Sequence, residues 1–187
     1  DTDVARVGVV LTTGTAPATP LDGLDGTPYW TTRQAVRAET APASLAVVGG
    51  GAVGAEMAQA FARFGTEVTV LESADRILAI EEPEAGALLG TVFGREGIQV
   101  LTGVKVTAVK YGDGRFTVMA GDRPVHAEKL LVAVGRTPNL GGIGLDTVGL
   151  DPAARALEVD DRMRAGEGLW AVGDLTGKGA FTHVSMY

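Results

Sequence analysis

The chain has 187 residues, a formal net charge of −7 and 27 glycines, about twice the average glycine usage of ~7%. The acidic balance comes without a basic patch, which argues against nucleic acid or an anionic membrane as the main partner. No apolar run approaches the roughly 20 residues that a membrane-spanning helix needs. No signal peptide is visible, and we expect a cytoplasmic protein.

Cysteine is absent and histidine is scarce, which limits the chemistry that this chain carries by itself. Without cysteine there is no disulfide, no thiolate nucleophile and no thiolate metal ligand. His126 and His183 are not clustered, so we expect no metal site and treat both as structural residues. The chain starts at Asp1 and stops at Tyr187, where a helix pattern begins. We therefore expect it to be a piece of a longer protein.

The first predicted elements are a buried strand and a short helix. The apolar run at residues 7–11 predicts the strand, which is followed by a connector rich in proline and glycine. Thr31 or Thr32 is placed to cap a helix that reaches Arg37, and Pro42 forbids its continuation.

Residues 45–72 indicate one complete unit of strand, phosphate loop, helix and second strand. The apolar run 45–48 is typical of a strand buried on both faces. It leads into G-x-G-x-x-G, in which Gly49 permits a tight turn, Gly51 lets the backbone approach a pyrophosphate, and Gly54 lets the helix pack against the strand. The helix N-terminus would direct N–H groups and the positive end of its dipole at the phosphates. The pattern predicts an anion site that needs no lysine.

The remaining parts of this unit complete the prediction of a dinucleotide site. Gly65 is placed to end the helix. Glu72 follows the strand at 68–71 and stands 18 residues after Gly54, where a carboxylate accepts hydrogen bonds from an adenosine ribose 2′-OH. The apolar face expected towards the sheet consists of Val53, Met57, Ala60, Phe61 and Phe64.

A second helix is predicted to open at residues 81–84, where acids and Pro83 mark a helix start. Gly86, Gly90 and Gly94 lie four residues apart in it, and each costs about 1 kcal/mol relative to alanine. Close packing against a neighbour and mobility both remain open as reasons for them. The expected buried stripe is Ala85, Leu88, Leu89, Val92 and Phe93.

The pattern then changes to strands. After a strand at 98–101, apolar residues alternate from Val104 to Val125 around a turn at 111–114, which predicts an antiparallel meander. The apolar run 129–134 returns to the main sheet. Further on we expect a sharp turn at 135–139, a short helical turn within 141–149, an edge strand at 157–159 and a strand at 169–172 that ends in Gly173-Asp174.

Other interpretations stay open at this point. The glycine unit also fits a tight turn in an α/β domain that binds nothing. It fits a methyltransferase, whose acid after the second strand holds the ribose of S-adenosylmethionine, although a second nucleotide signature at Gly173-Asp174 counts against it. Asp174 itself either binds a second polar ligand or caps the turn that follows it.

Taken together, these residues resemble the pyridine nucleotide–disulfide oxidoreductases, the flavoprotein family of dihydrolipoamide dehydrogenase, glutathione reductase and mercuric reductase. Four motifs carry the resemblance, and their order and spacing match the family over essentially the whole chain. They are LTTGTAP at residues 11–17, GGGAVGAE at 49–56, AVGRTPN at 133–139 and WAVGD at 170–174. The fold class implied is α/β: a Rossmann-like three-layer NAD-binding domain with a parallel sheet and an antiparallel β-meander, flanked by pieces of an FAD domain.

The resemblance also implies a domain division and a set of site residues. Residues 16–134 would form the NAD(H)-binding domain, between the end of a first FAD-domain segment at 1–15 and the start of a second at 135–187. Glu56 would orient the nicotinamide carboxamide for hydride transfer and is the implied catalytic residue. Asp174 would bind the ribityl–phosphate region of the flavin. The implied cofactor-binding residues are Gly49, Gly51, Ala52, Val53, Gly54, Glu72, Gly135, Arg136 and Asp174.

The function implied is an FAD-dependent oxidoreductase that passes hydride from NAD(P)H to FAD and on to a disulfide, lipoamide or Hg(II)-type acceptor. The family's flavin glycine motif, redox cysteine pair and dimer segment would lie outside this chain, so we expect the chain alone to be inactive and its parent to be a homodimer. Two alternatives remain: a relative without the cysteine pair that uses a quinone or another acceptor, and a non-enzymatic NAD-binding module.

We also predict that NADH is preferred to NADPH. The Glu72 carboxylate would repel the 2′-phosphate of NADPH and offer it no donor. Relatives that use NADP place arginines just after this strand, whereas Arg76 is the one nearby cation here. Arg76 could swing toward a phosphate, but Asp75 and Glu72 compete for it, so we expect a preference for NADH and not absolute exclusion of NADPH.

Overall fold

The structure, a computed structural model, describes residues 4–179. The chain divides into two compact units, Asp1–Ala16 with Arg136–Tyr187, and Pro17–Gly135. We call the second the central unit and the first the flanking unit. His183, and the helix expected to begin near Tyr187, lie outside the described residues.

The described residues contain three α-helices, two 3-10 turns and twelve strands. The helices are α1 Thr32–Ala35, α2 Ala52–Arg63 and α3 Pro83–Arg95, and the 3-10 turns are Leu145–Val148 and Asp174–Thr176. The strands are β1 Val9–Leu11, β2 Thr15–Pro17, β3 Ser44–Val48, β4 Glu67–Leu71, β5 Gln99–Leu101, β6 Val106–Gly112, β7 Arg115–Ala120, β8 Arg123–Ala127, β9 Lys129–Val132, β10 Arg136–Pro138, β11 Arg164–Gly166 and β12 Leu169–Ala171.

The central unit is built on a four-stranded parallel sheet in the order β5-β4-β3-β9. Successive residues of β3 point to opposite faces of the sheet, as they must in a strand. Leu45 and Val47 belong to the hydrophobic core on the helix side, whereas Ala46 and Val48 belong to the core that includes the meander. All five residues of β3 are buried. The apolar run at 45–48 therefore marks the centre of a three-layer structure.

The antiparallel meander predicted from the alternating pattern is confirmed as β6-β7-β8. The first hairpin turns at Asp113 and Gly114, which have φ angles of 50° and 75°. Positive φ at both central residues is the conformation of the tight hairpin turn that matches strand twist. Phe116 and Val118, from the inward face of β7, are fully buried in the core shared with the parallel sheet.

Helix α2 begins and ends where the glycines predicted, but its buried face differs from the prediction. Gly51 is the N-cap and Phe64 the C-cap, with Gly65 following at a φ of 90°. Val53 and Phe64, expected to be buried, are 41% and 70% exposed. The helix instead buries a face of mostly small residues, Gly54, Ala55, Ala58 and Phe61. Small side chains allow the helix to approach the sheet closely, and this contact outweighs the burial of larger apolar residues one position away.

Helix α3 starts at Pro83 as predicted, while its expected stripe is only partly correct. Phe93 is fully buried, but Ala85 and Leu88 are exposed. The three glycines differ in surroundings: a Cβ on Gly86 would lie 2.6 Å from the carbonyl oxygen of Ile77, whereas one on Gly90 or Gly94 would meet no atom within 4 Å. Close packing therefore explains Gly86 alone.

A surface ion pair joins the ends of α2 and α3. Arg63 donates a hydrogen bond to Glu96 at 2.6 Å, and this bond lowers the pKa of the Glu96 carboxyl. Such exposed pairs contribute little to stability. Helix α1 is shorter than predicted and ends at Ala35, with Thr31 as its capping residue. None of the helices in residues 4–179 is long and apolar enough to cross a membrane.

The flanking unit contains a three-stranded sheet, β1-β12-β11, in which β1 and β12 are parallel. The buried strand expected at residues 7–11 is wrong in its burial: β1 is an edge strand, and Val9 and Val10 are exposed. The edge strand expected at 157–159 is also wrong. Leu157 is buried, yet this segment belongs to no strand, and β11 supplies the outer strand instead. The short helical turn within 141–149 is confirmed.

A further correction concerns the segments on either side of the central unit. Residues 135–139 were expected to form a sharp turn, but β10 pairs there with β2 in a two-stranded sheet. Neither strand has an apolar pattern. The two paired segments lie about 120 residues apart in the sequence, and the Arg136 side chain also donates hydrogen bonds to Thr15.

Candidate functional site

The glycine loop lies at the carboxyl end of β3 and joins it to α2. Gly49 has a φ of 104°, which disfavours any other residue, and a Cβ there would collide with the carbonyl oxygen of Ala133. A Cβ on Gly54 would collide with the carbonyl oxygen of Gly49. Gly51 differs from both, because a Cβ on it would meet no protein atom within 4 Å. The protein's own packing requires the first and third glycines, whereas the space beside Gly51 is open.

The N-terminus of α2 provides hydrogen-bond donors beside that open space. The N-cap Gly51 makes no side-chain cap, and the first turn of α2 carries no acidic residue. The first N–H groups of a helix have no partner within the helix, and together with the helix dipole they favour an anion. Strand β3 lies between β4 and β9, so the loop opens where neighbouring chain connections diverge. Ligands of open α/β sheets bind in such a crevice.

Glu72 follows β4 and its carboxylate is held against the glycine loop. One oxygen accepts a hydrogen bond from Gly50 N–H at 2.6 Å. The other accepts from Ala74 N–H at 2.7 Å and from the Ser73 hydroxyl at 3.2 Å. A carboxylate has about four acceptor sites, so acceptor capacity remains for a further donor. The acid is oriented by the backbone before any ligand arrives.

The exposed side of the first two turns of α2 carries three of the predicted site residues. Ala52, Val53 and Glu56 are all exposed. Residues three and four apart are neighbours on a helix surface, so these three form one patch that begins at the glycine loop. The exposure of Val53 contradicts its expected place in the core and leaves it free to contact a ligand.

The flanking unit brings together the other predicted polar residues around Thr15. The Thr15 hydroxyl donates a hydrogen bond to Asp174 Oδ2 at 3.0 Å, while Arg136 Nε donates to the Thr15 hydroxyl. Arg136 Nη2 also donates to the Thr15 carbonyl oxygen at 2.6 Å, and its Nε lies 3.9 Å from Asp174 Oδ2. Arg136 and Asp174 are therefore linked mainly through Thr15. The sequence singled out both charged residues but not the threonine that joins them.

Asn139 connects the motif at residues 133–139 to the motif at residues 11–17 by hydrogen bonds. Asn139 donates from its side chain to the Thr13 carbonyl at 2.9 Å and from its backbone to the Gly14 carbonyl at 3.0 Å. Asp174 begins a 3-10 turn without capping it, since the capping position is Gly173 and no side-chain cap is formed. Its carboxylate is thus directed to Thr15. Gly135 has a φ of 120° and accepts a hydrogen bond from Ala18 N–H within the central unit.

The histidine expected to be structural is on the meander surface. His126 Nδ1 lies 3.1 Å from the Thr117 hydroxyl across the β7–β8 pair. Within residues 4–179, no group of three histidine, cysteine, aspartate or glutamate side chains is arranged to hold a metal ion.

Comparison with known proteins gives the chain's family. The sequence profile described as pyridine nucleotide-disulphide oxidoreductase matches residues 2–187. The chain belongs to this family. The prediction of the family is thereby confirmed. The predicted α/β fold class is confirmed as well, because the solved structure of a flavoprotein disulfide reductase has the same fold.

Similar curated members of the family include a mercuric reductase and a dihydrolipoyl dehydrogenase. The chain is 38% identical over 179 residues to mercuric reductase from Acidithiobacillus ferrooxidans, covering 94% of this chain and 32% of that protein. It is 31% identical over 191 residues to dihydrolipoyl dehydrogenase from Chlamydia pneumoniae, covering 100% of this chain and 41% of that protein. The chain thus spans about a third of the length of the curated oxidoreductases that it matches.

Solved structures of the family superpose over nearly the whole chain. The HOCl-induced flavoprotein disulfide reductase RclA from Escherichia coli has a TM-score of 0.88 at 27% identity, over 96% of this chain and 42% of that one. LpdA from Mycobacterium tuberculosis has a TM-score of 0.86 at 31% identity, over 95% of this chain and 40% of that one. These comparisons give the oxidoreductase family and the fold of the chain.

Proposed function

We propose that the central unit binds NAD(H), and that the chain is the NAD(H)-binding part of an FAD-dependent oxidoreductase. The observation that carries this proposal is the Glu72 carboxylate, which lies 2.6 Å from Gly50 N beside an uncapped helix N-terminus. An anion cradle next to an oriented acid suits two parts of a dinucleotide, the pyrophosphate and the adenosine ribose.

The residues of α2 supply the rest of the proposed site. The pyrophosphate would approach Gly51, where no protein atom occupies the space a side chain would fill. Ala52 and Val53 would contact the bound dinucleotide on the exposed side of the helix. Glu56, on the same side, would orient the nicotinamide carboxamide. The bound NADH and flavin supply the hydride chemistry itself, and this chain binds and orients the dinucleotide.

The flavin-side roles belong to the flanking unit. Asp174 would bind the ribityl–phosphate region of FAD, and Thr15 holds one of its carboxylate oxygens, so that the other is left to accept from the flavin. Arg136 would support this site, and Gly135, the last residue of the central unit, is the other residue that the resemblance implies for cofactor binding. In the longer protein, hydride would pass from NAD(P)H to FAD and on to a disulfide, lipoamide or Hg(II)-type acceptor, within a homodimer.

The alternatives differ in what lies beyond this chain. A relative without the cysteine pair would pass electrons to a quinone or another acceptor. A non-enzymatic NAD-binding module would have a parent without a flavin segment. Spectra of the full-length protein separate the module from the enzymes, because only the latter contain flavin.

The binding proposal predicts that NADH binds more tightly than NADPH. Glu72 would accept ribose hydroxyls of NADH but meet the 2′-phosphate of NADPH with like charge, in a site that is half-buried. We expect discrimination on the order of tenfold to a thousandfold. Calorimetric titration of the 187-residue chain with each reduced nucleotide measures it, and S-adenosylmethionine serves as the ligand that should not bind.

Substitution of Glu72 tests the physical reason for this preference. Glu72→Gln removes the charge, so we expect NADH to bind more weakly and the preference to shrink by about tenfold. Glu67→Gln is the matched control, because Glu67 is an exposed acid at the opposite end of β4. Equal or tighter binding of NADPH by the unsubstituted chain, or an unchanged ratio in Glu72→Gln, would show that Glu72 does not read the ribose.

A further inference from the structure

Arg76 holds together the segment between β4 and α3. Its Nη1 donates a hydrogen bond to the carbonyl oxygen of Leu78 at 2.6 Å, and its Nη2 donates to those of Ala79 and Glu81, both at 2.8 Å. The ion pairs within residues 4–179 do not include Arg76. The expected competition from Asp75 and Glu72 is therefore replaced by three carbonyl groups, and the guanidinium is already engaged.

The segment held by Arg76 contacts the glycine loop at Gly50. Leu78 N–H donates to the Gly50 carbonyl oxygen at 2.8 Å, and it does so from a left-handed backbone conformation with a φ of 50°. Ile77 is buried, and its Cγ2 would lie 2.8 Å from a Cβ added to Gly50. Since Glu72 accepts from Gly50 N–H, both hydrogen-bonding groups of this loop residue are held by the chain that follows β4.

Helix α3 packs against the same segment at Gly86. A Cβ added to Gly86 would lie 2.6 Å from the Ile77 carbonyl oxygen and 3.3 Å from Arg76 Nη1. The first contact is with backbone, so a larger residue at position 86 would displace the segment. Arg76 and Gly86 thus act on one structural unit from two sides.

We propose that Arg76 is a positioning residue of the dinucleotide loop: its three carbonyl bonds fix the turn from which Leu78 and Ile77 hold Gly50 in place. This inference rests on the proposed function, and it assigns Arg76 no contact with the 2′ position of the ribose. The planar guanidinium offers five donors in a rigid fork. A lysine ammonium does not reproduce that geometry across three carbonyls, so Lys does not substitute for Arg here.

Four variants of the 187-residue chain test the proposal. Arg76→Ala and Arg76→Lys release the carbonyls, and Gly86→Ala displaces the same segment without a change of charge. Gly90→Ala is the matched control, because the same methyl group on the same helix meets no atom within 4 Å. Each variant is titrated with NADH and with NADPH, and hydrogen exchange is measured at the Leu78 amide. If Arg76→Ala does not fold, the other two substitutions still perturb the segment.

We expect the variants that disturb the segment to lose affinity for NADH and NADPH together. Arg76→Ala, Arg76→Lys and Gly86→Ala should each weaken NADH and NADPH binding by a similar factor, on the order of tenfold for a loosened loop, with faster exchange at Leu78. Gly90→Ala should change neither the affinity for the two nucleotides nor the exchange rate at Leu78. A selective loss of NADPH binding in the Arg76 variants would show that Arg76 reads the phosphate, and unchanged binding of both nucleotides would equally overturn the proposal.

The outcome also separates this inference from the proposed function. If the unsubstituted chain bound neither nucleotide, the proposed function would fail and the binding role of Arg76 with it. Exchange at Leu78 in Arg76→Lys and Gly86→Ala would then still decide whether Arg76 holds the segment.

Discussion

At the scale of single residues, the three motif glycines are present for different reasons. Gly49 and Gly54 are required by backbone atoms of the protein itself, whereas the space beside Gly51 contains no protein atom within 4 Å. Gly51 also has an extended conformation, with φ of −72° and ψ of −176°, which other residues adopt readily. A side chain at position 51 therefore conflicts with a ligand and not with the fold.

Gly51→Val is predicted to abolish dinucleotide binding while the protein stays folded. The branched side chain would fill the space next to the helix N-terminus, where the pyrophosphate is proposed to lie. Valine is a poor N-cap, and we expect a loss of about 1 kcal/mol in the free energy of unfolding. Titration with NADH and urea denaturation measure the two effects. Gly51→Ala should show a smaller loss of affinity, and undiminished binding by Gly51→Val would mean that the phosphate lies elsewhere.

At the scale of elements, small residues let α2 and α3 approach neighbouring segments closely, and this contributes to their packing alongside the burial of large apolar side chains. Helix α2 buries Gly54, Ala55 and Ala58 while it leaves Phe64 largely exposed. In α3, Gly86 lies against the backbone of Ile77, but Gly94 has open space around it. Glycine at position 94 therefore costs helix stability without providing a contact.

Alanine at the two α3 positions is predicted to have effects of opposite sign. Gly94→Ala should raise the free energy of unfolding by about 0.5–1 kcal/mol, because alanine loses less backbone entropy in a helix and nothing obstructs its methyl group. Gly86→Ala should lower it, since the methyl group displaces the Ile77 carbonyl. Urea denaturation of both variants is the measurement. Equal stabilisation by both substitutions would contradict the packing assigned to Gly86.

At the scale of the whole molecule, the chain holds only part of what its proposed reaction requires. It spans about a third of the length of the curated oxidoreductases that it matches and contains no cysteine. Hydride from NADH has no acceptor in this chain unless a flavin is bound.

We predict that the purified 187-residue chain is colourless and binds NADH without oxidising it. Absorption spectra report bound flavin, and NADH consumption is followed with a disulfide and with Hg(II) as acceptors. The full-length protein, tested alongside, should be yellow and active with its own acceptor. Stoichiometric FAD in the short chain, or NADH oxidation above the rate in buffer, would contradict this prediction.

The sequence by itself determined the strand–helix–strand unit, the parallel sheet, the meander and the positions of the glycine loop and Glu72 in the fold. Residues 45–48 and Glu72 lie where the pattern predicted, at β3 and at the end of β4. This success has a physical reason: strand and helix periods, turn glycines and helix caps record local backbone preferences, and these act over only a few neighbouring residues.

Only the tertiary structure decided which distant groups meet. Thr15 links Arg136 and Asp174, which lie 121 and 159 positions from it in the sequence, and Arg76 binds carbonyl groups instead of the expected carboxylates. The exposure of Val53 and the pairing of β2 with β10 were likewise not predicted. These outcomes depend on how closely segments far apart in the sequence approach one another, and a local pattern of residue types does not record that distance.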